Sequence, residues 1–170
     1  MTEDAGLRVE PLRAGDLDEV LAIERASFAT PWTQEMFLEE IRNARSRPLV
    51  FRQGARMVGY LCFWEVLDEA HLLNICVHPE FRGLGHGLQI LAHLEQTCRK
   101  DAIKRIILEV GRRNRVARNL YHRHGFRTVG FRKGYYQDIK DDALIMEKLL
   151  DETAETSPPE NEPGVRNEEH

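Results

Sequence analysis

Long apolar runs are missing from this chain of 170 residues. No stretch reaches the roughly 18 consecutive apolar residues that a membrane span requires, so a membrane partner is not expected. The opening residues, "MTEDAG", are acidic, with neither a basic segment nor an apolar one behind it, so no secretory signal is expected. Cysteine is scarce. Cys62, Cys76 and Cys98 are odd in number and widely spaced, which fits neither a disulfide framework nor a metal-binding pair. The seven histidines form no ligand pattern, because His122-x-His124 lacks the i, i+4 spacing that sets two rings on one helix face. The expectation is a reduced, cytoplasmic protein without a metal.

What is present describes an ordinary globular chain: 42% apolar residues and 31% charged, with no internal repeat. The length suits one domain with a proper core. The net charge of −4 is uneven, because residues 151–170, "DETAETSPPENEPGVRNEEH", hold seven acids against one arginine. Their three prolines and near-absence of apolar residues leave too little surface to bury. The expected organisation is a domain over 1–150 and an acidic, disordered tail over 151–170.

"LRVEPL" (7–12) reads as a strand. Leu17, Val20, Leu21, Ile23 and Glu24 recur at helical spacing behind Asp16, a candidate N-cap, and Thr33 is placed to cap a second helix bearing Met36, Phe37 and Ile41. "PLVFRQGARMVGYLCFWEV" predicts two strands turning at Gln53-Gly54, and "AHLLNICV" (70–77) a third. After a glycine-rich loop, Leu84, Leu88, Leu91 and Cys98 mark one face of a helix, with His86 and His93 expected toward solvent. "RIILEV" (105–110) is a strand. A helix over about 115–124 follows Asn114 and stops at Gly125, and "FRTVGFRKGYY" and "ALIMEKLL" add two strands. Antiparallel strands first and a β-α-β crossover in the middle predict an α+β, mixed α/β, sheet.

The loop itself, "RGLGHG", carries glycines at alternate positions 83, 85 and 87. A dinucleotide fingerprint starting at Gly83 requires glycine at position 88, which is Leu88, and a Walker A loop requires Gly-Lys-Ser/Thr, whereas Leu88 follows Gly87. The physical content survives both exclusions. Glycines let the backbone approach a ligand, and the first amides of the following helix, with its macrodipole, favour an anion such as a pyrophosphate.

"VHPEFRGLGHG" resembles the Val-x-Pro-x-x-Arg/Gln-x-x-Gly-x-Gly/Ala signature of the GCN5-related N-acetyltransferases (GNAT), through Val77, Pro79, Arg82, Gly85 and Gly87. "LDEAHLLNICV", "ILEVGRRNRVARNLYHRHGF", "GYYQDIKDDALIMEK" and "FATPWT" further resemble that superfamily's RimI branch, the ribosomal-protein-alanine N-acetyltransferases, collinearly over about 7–150. The resemblance implies a central, mostly antiparallel mixed sheet of about seven strands flanked by about four helices. It implies acetyl-CoA as co-substrate, with its pyrophosphate on Arg82, Gly83, Leu84, Gly85, His86, Gly87 and Leu88. It further implies that the backbone of Ile75, Cys76 and Val77 borders the pantetheine arm and that Asn114 contacts it, although Asn114 is equally placed to cap the next helix.

Acetyl transfer to an amine needs a neutral amine, a stabilised oxyanion and a protonated leaving thiolate. An α-amino group, with an ordinary pKa of about 7.7–8 against about 10.4 for lysine, is the easier to deprotonate. By the resemblance Glu109 is the general base and Tyr121 the general acid. From the residues alone, Glu109 is equally a strand-end carboxylate paired with Arg112 or Arg113, and Tyr121 a core residue sharing a face with Val116 and Leu120. Cys76 reads as a small buried filler and not as a nucleophile, so transfer is expected to be direct. Pro31, Trp32, Tyr135 and Tyr136 resemble the loops that flank the acceptor, or else serve as packing aromatics.

The acceptor implied is a protein N-terminus, the N-terminal alanine of a small-subunit ribosomal protein. The alternatives are an acetyltransferase for a small amine or a lysine side chain, and a non-enzymatic RNA- or ribosome-binding module. The last rests on residues 111–134, where seven arginines and a lysine occur without an acid. A solvated face and attraction for the coenzyme account for that stretch as well, so direct nucleic-acid binding is not expected.

Overall fold

A computed structural model describes residues 6–136 and 141–150; at 133–136 and 141 it describes the backbone alone. The tail over 151–170 lies outside the described residues. The elements in chain order are β1 (Arg8–Pro11), α1 (Leu17–Ser27), α2 (Gln34–Arg42), β2 (Ser46–Gln53), β3 (Arg56–Val66), β4 (Glu69–Val77), α3 (His86–Lys100), β5 (Arg105–Gly111), α4 (Arg115–Arg123), β6 (Arg127–Tyr136) and β7 (Asp141–Leu149). The seven strands follow the order β1-β2-β3-β4-β5-β7-β6 in a mostly antiparallel, mixed sheet, and four α-helices accompany them. This is the expected α+β architecture. By contacts the chain divides into two compact units, one running up to residue 65 and resuming over 72–93, the other comprising 66–71 and the residues from 94 onward.

In the first unit β2 pairs antiparallel with β1 (Val9↔Phe51) and with β3 (Val50↔Tyr60), and Gly54, at φ +64, makes the turn between β2 and β3. Leu17, Val20, Leu21 and Ile23 of α1 and Phe37 of α2 pack on Val50, Met57 and Tyr60 in one buried cluster. Burial of each such side chain stabilises the fold by about 1.5–3 kcal/mol before conformational entropy is set against it. Asp16 does not cap α1 through its side chain. Its carboxylate instead accepts the Arg13 amide (2.9 Å) and pairs with Arg52 (2.8 Å), stapling a short 3-10 turn at Ala14–Asp16 to β2. Thr33 caps α2 as expected, accepting from the Met36 amide. Gly59 of β3 tolerates no larger residue, because an added Cβ would run into the carbonyl of Cys76.

In the second unit β7 is the shared neighbour of β5 (Glu109↔Ile145) and β6 (Thr128↔Met146), both antiparallel. Ile106, Leu108, Val110, Phe126, Ala143 and Met146 are buried. Glu95 of α3 gathers Lys148 (2.7 Å), Arg99 (2.8 Å) and His124 (3.1 Å). Burial alone raises a carboxyl's pKa, but the Lys148 and Arg99 charges outweigh it and hold Glu95 below its ordinary value. Asn114 caps α4 by accepting the Ala117 amide (3.2 Å), and Gly125 ends that helix at φ +94, where only glycine is unstrained.

Two expected helix faces are redrawn. On α3 the buried positions are His86, Ile90, Leu91, Leu94 and Cys98, whereas Leu84 lies in the loop, 67% exposed. His86 turns inward, its ring edge-on to Phe81 and its Nδ1 bonded to Gln89 (2.8 Å), and His93 packs edge-on against Phe51. On α4, Val116 is 83% exposed and the buried pair is Arg118 and Tyr121. Buried Arg118 donates to the Arg112 carbonyl, a bond open to a long polar side chain and closed to valine.

Candidate active site

The first unit supplies a strand, a loop and a helix start. Burial alternates along β4: Asn74 and Cys76 point inward, Ile75 and Val77 are half-buried. Past Val77 a short 3-10 turn, Pro79–Phe81, is capped by His78, whose Nδ1 accepts the Glu80 amide. Gly83 and Gly85 then adopt φ +78 and +90, a region that costs an L-residue with a Cβ about 1 kcal/mol or more. A Cβ placed on either would meet no protein atom within 4 Å, so these glycines serve backbone shape and open space above it rather than internal packing. Helix α3 begins immediately afterward at His86, with its first amides at the end of this loop. The loop therefore fits an anionic group.

Arg82 braces that loop. Its Nε donates to the Val77 carbonyl (3.0 Å) and its Nη2 to Ser27 Oγ (2.6 Å) at the last turn of α1. The thiol of Cys76 is pushed up by burial, with smaller opposing contributions from Ser27, Tyr60 and Arg82. It is a buried thiol and not a poised thiolate, in keeping with direct transfer.

Pro31 and Trp32 lie between α1 and α2. Pro31 is exposed, and Trp32 is half-buried with its ring tilted on Phe37 at 5.0 Å. The Trp32 amide donates to Glu24 Oε2 (2.8 Å). Glu24 Oε1 accepts from Tyr60 Oη (2.6 Å) and Asn74 Nδ2 (3.0 Å). Burial first, then the neighbouring Cys76 and Glu24, pushes the Tyr60 phenol far up, so it keeps the proton that it donates to Glu24. Tyr135 and Tyr136 lie on β6, and their side chains are outside the described residues.

In the second unit Glu109 sits on β5, its side chain 30% exposed, with Oε1 2.9 Å from Arg132 Nη2. The partner is neither Arg112 nor Arg113, the two arginines that follow it most closely in sequence. Opposite β7, Glu109 pairs with Ile145 and Arg132 with Ala143, two residues apart and so on one face of the sheet. Arg112 lies past the last position of β5 and approaches Asp142 (3.8 Å). Tyr121 is buried, its ring 5.7 Å from Phe126. The sequence reading passed over Glu24, Ser27, Tyr60, Asn74 and Arg132 as site residues. Glu24 alone left a trace, as an acid among the apolar positions of α1.

Residues 17–126 match the model of the acetyltransferase (GNAT) family. The chain belongs to the GNAT acetyltransferase family. A protein of Bacillus subtilis (strain 168), named provisionally as a [ribosomal protein bS18]-alanine N-acetyltransferase, is 36% identical over 145 residues, 85% of this chain and 96% of its own. The crystal structure of the ribosomal-protein-S18-alanine N-acetyltransferase from Escherichia coli superposes with a TM-score of 0.79 at 30% identity, covering 92% of this chain and 98% of that one. A GNAT family acetyltransferase from Elizabethkingia anophelis with acetyl-CoA bound shares the fold, with a TM-score of 0.70 at 17% identity over 85% of this chain and 99% of its own.

The expected GNAT family, fold and acyltransferase class with acetyl-CoA as donor are thereby borne out. Among the described residues no three His, Cys, Asp or Glu side chains gather as a metal site, and no helix is long and apolar enough to cross a membrane.

Proposed function

We propose that this GNAT acetyltransferase is an Nα-acetyltransferase that moves the acetyl group of acetyl-CoA directly to the N-terminal alanine of a small-subunit ribosomal protein, in the cytoplasm. The observation that carries the donor side of the reading is the loop Arg82–Leu88: two glycines at positive φ open onto space at the start of α3, braced by an arginine. The relatives that extend over nearly the whole chain support the acceptor.

Acetyl-CoA supplies the activated thioester. The amides of Arg82–Leu88 hold its pyrophosphate, the backbone of Ile75–Val77 borders its pantetheine, and Asn114 adds a contact without giving up its cap. Glu109, with one oxygen engaged by Arg132, takes a proton from the α-amine through its carboxylate. Tyr121 gives its phenolic proton to the departing sulfur. Pro31 and Trp32, with Tyr135 and Tyr136, flank the incoming N-terminus. The catalytic domain spans 1–150, and the acidic segment 151–170 is a solvated tail.

The test offers acetyl-CoA with three peptides: one beginning with alanine, its N-blocked twin, and a lysine-containing control. Thiol release and peptide mass are followed together. Acetylation of the free alanine terminus alone is expected. Equal modification of the blocked peptide, on lysine, overturns the Nα reading.

A further inference from the structure

Glu24 is 1% exposed and lies within the apolar cluster of α1, α2, β2 and β3. A carboxylate in such surroundings is costly unless its oxygens are well supplied with donors, and apolar residues of similar volume often serve stability as well or better. Its three donors come from three places: the Tyr60 phenol on β3, the Asn74 amide on β4, and the backbone N–H of Trp32 in the α1–α2 loop. Tyr60 and Asn74 share Oε1, which leaves Oε2 to accept from Trp32.

The loop end needs such a tether. The last bond of α1 is Phe28 N–H to the Glu24 carbonyl (3.0 Å), and the cap of α2 starts at Thr33. Between them, the Trp32 amide bond ties the chain to the core. An irregular segment held by a charge-assisted bond keeps one conformation out of many.

We propose that Glu24 is a positioning residue for the acceptor: it fixes the Pro31–Trp32 loop in the shape that receives the peptide N-terminus. This rests on the acceptor role of that loop in the proposed function. Asn74 immediately precedes Ile75–Val77, so the same carboxylate references the acceptor loop to the strand that borders the donor.

Glu24→Met fills the same volume and removes the acceptor. In steady-state assays of the full chain with the Ala-initiated peptide, its peptide KM is expected to rise about tenfold or more while its acetyl-CoA KM stays within about twofold. Glu24→Gln, which can turn its oxygen to Trp32 while Asn74 flips to match, is expected to recover most of the loss. A peptide KM that does not move, or two KM values that rise together, overturns the proposal.

Because Glu24→Met leaves buried donors unpaired and can lower stability, wild-type amide exchange followed by NMR provides a second readout. The Trp32 amide is expected to exchange at least about 100-fold more slowly than in a free peptide, and exchange at the free-peptide rate overturns the tether. That readout needs no substrate, so a wild-type protein that ignores the Ala-initiated peptide counts against the proposed function and leaves the tether to be judged on the exchange rate.

Discussion

Ser27→Ala is a sharp perturbation, because Ser27 is outside the glycine loop yet holds its arginine. Its hydroxyl donates to the Ile23 carbonyl (2.7 Å) and accepts from Arg82 Nη2 (2.6 Å), while Arg82 Nε holds the Val77 carbonyl (3.0 Å). A hydrogen bond to a charged group contributes about 1.5–3 kcal/mol when sheltered. Arg82 is exposed, so solvent screening reduces each to about 1 kcal/mol. If that energy orders the loop for its ligand, losing one bond weakens coenzyme binding about fivefold and losing both about 25-fold. Titration calorimetry with coenzyme A on Ser27→Ala, Arg82→Lys and Arg82→Ala reads this series. The expected order of weakening is Ser27→Ala, then Arg82→Lys, whose single ammonium cannot span both acceptors, then Arg82→Ala. Wild-type affinity in Ser27→Ala beside a large loss in Arg82→Ala refutes the brace and makes Arg82 a direct ligand contact.

Three predictions concern the second unit. Tyr121→Phe, which keeps the packing on Phe126, should cut turnover by about 100-fold or more at unchanged coenzyme affinity; stopped-flow thiol release measures it, and a wild-type rate removes the general acid. Glu109→Gln should lower turnover and reshape the acid limb of the pH–rate profile, and an unaltered profile assigns the base elsewhere. His124 is held below its ordinary pKa by burial first and the Lys148 charge second, with Glu95 opposing. The folded state therefore favours the neutral ring, and its contribution to stability is lost as pH falls through about 6.5, where the unfolded ring takes a proton. Thermal melts of His124→Gln should show a flatter fall in Tm between about pH 7.5 and 5.5 than wild type.

The local signals in the sequence were reliable where one residue type serves one geometry. Asn114 and Gly125 bracket α4, Thr33 opens α2, and Gly54 turns β2 into β3, because caps and positive φ are set by a few adjacent atoms. Misreadings arose where a residue's partner is distant in sequence. Asp16 looked like a cap until Arg52, 36 residues on, claimed its carboxylate. Glu109 has arginines three and four places away, yet sheet register brings it Arg132. His86 counts as polar by type, but it is buried, its ring edge-on to Phe81 and bonded to Gln89. Glu24 belongs to the same class: its three donors are 8, 36 and 50 residues away, and periodicity shows only that it faces the core.

The last turn of α1 acquires its meaning from these distant partners. Glu24 and Ser27, three residues apart, lie on neighbouring positions of one helical face. Glu24 is tied to the Trp32 amide and Ser27 to the arginine of the glycine loop. Both loops are irregular backbone, and each is referenced to the same rigid turn, itself seated in the core through Val20, Leu21 and Ile23. A displacement of that turn would move the Pro31–Trp32 loop and the brace of the glycine loop together. Single substitutions at Glu24 and Ser27 should therefore separate peptide from coenzyme affinity, whereas destabilising the seat with Leu21→Ala, at a cost of about 2–5 kcal/mol, should weaken both in parallel. Unequal losses in Leu21→Ala would show the two loops to be held independently.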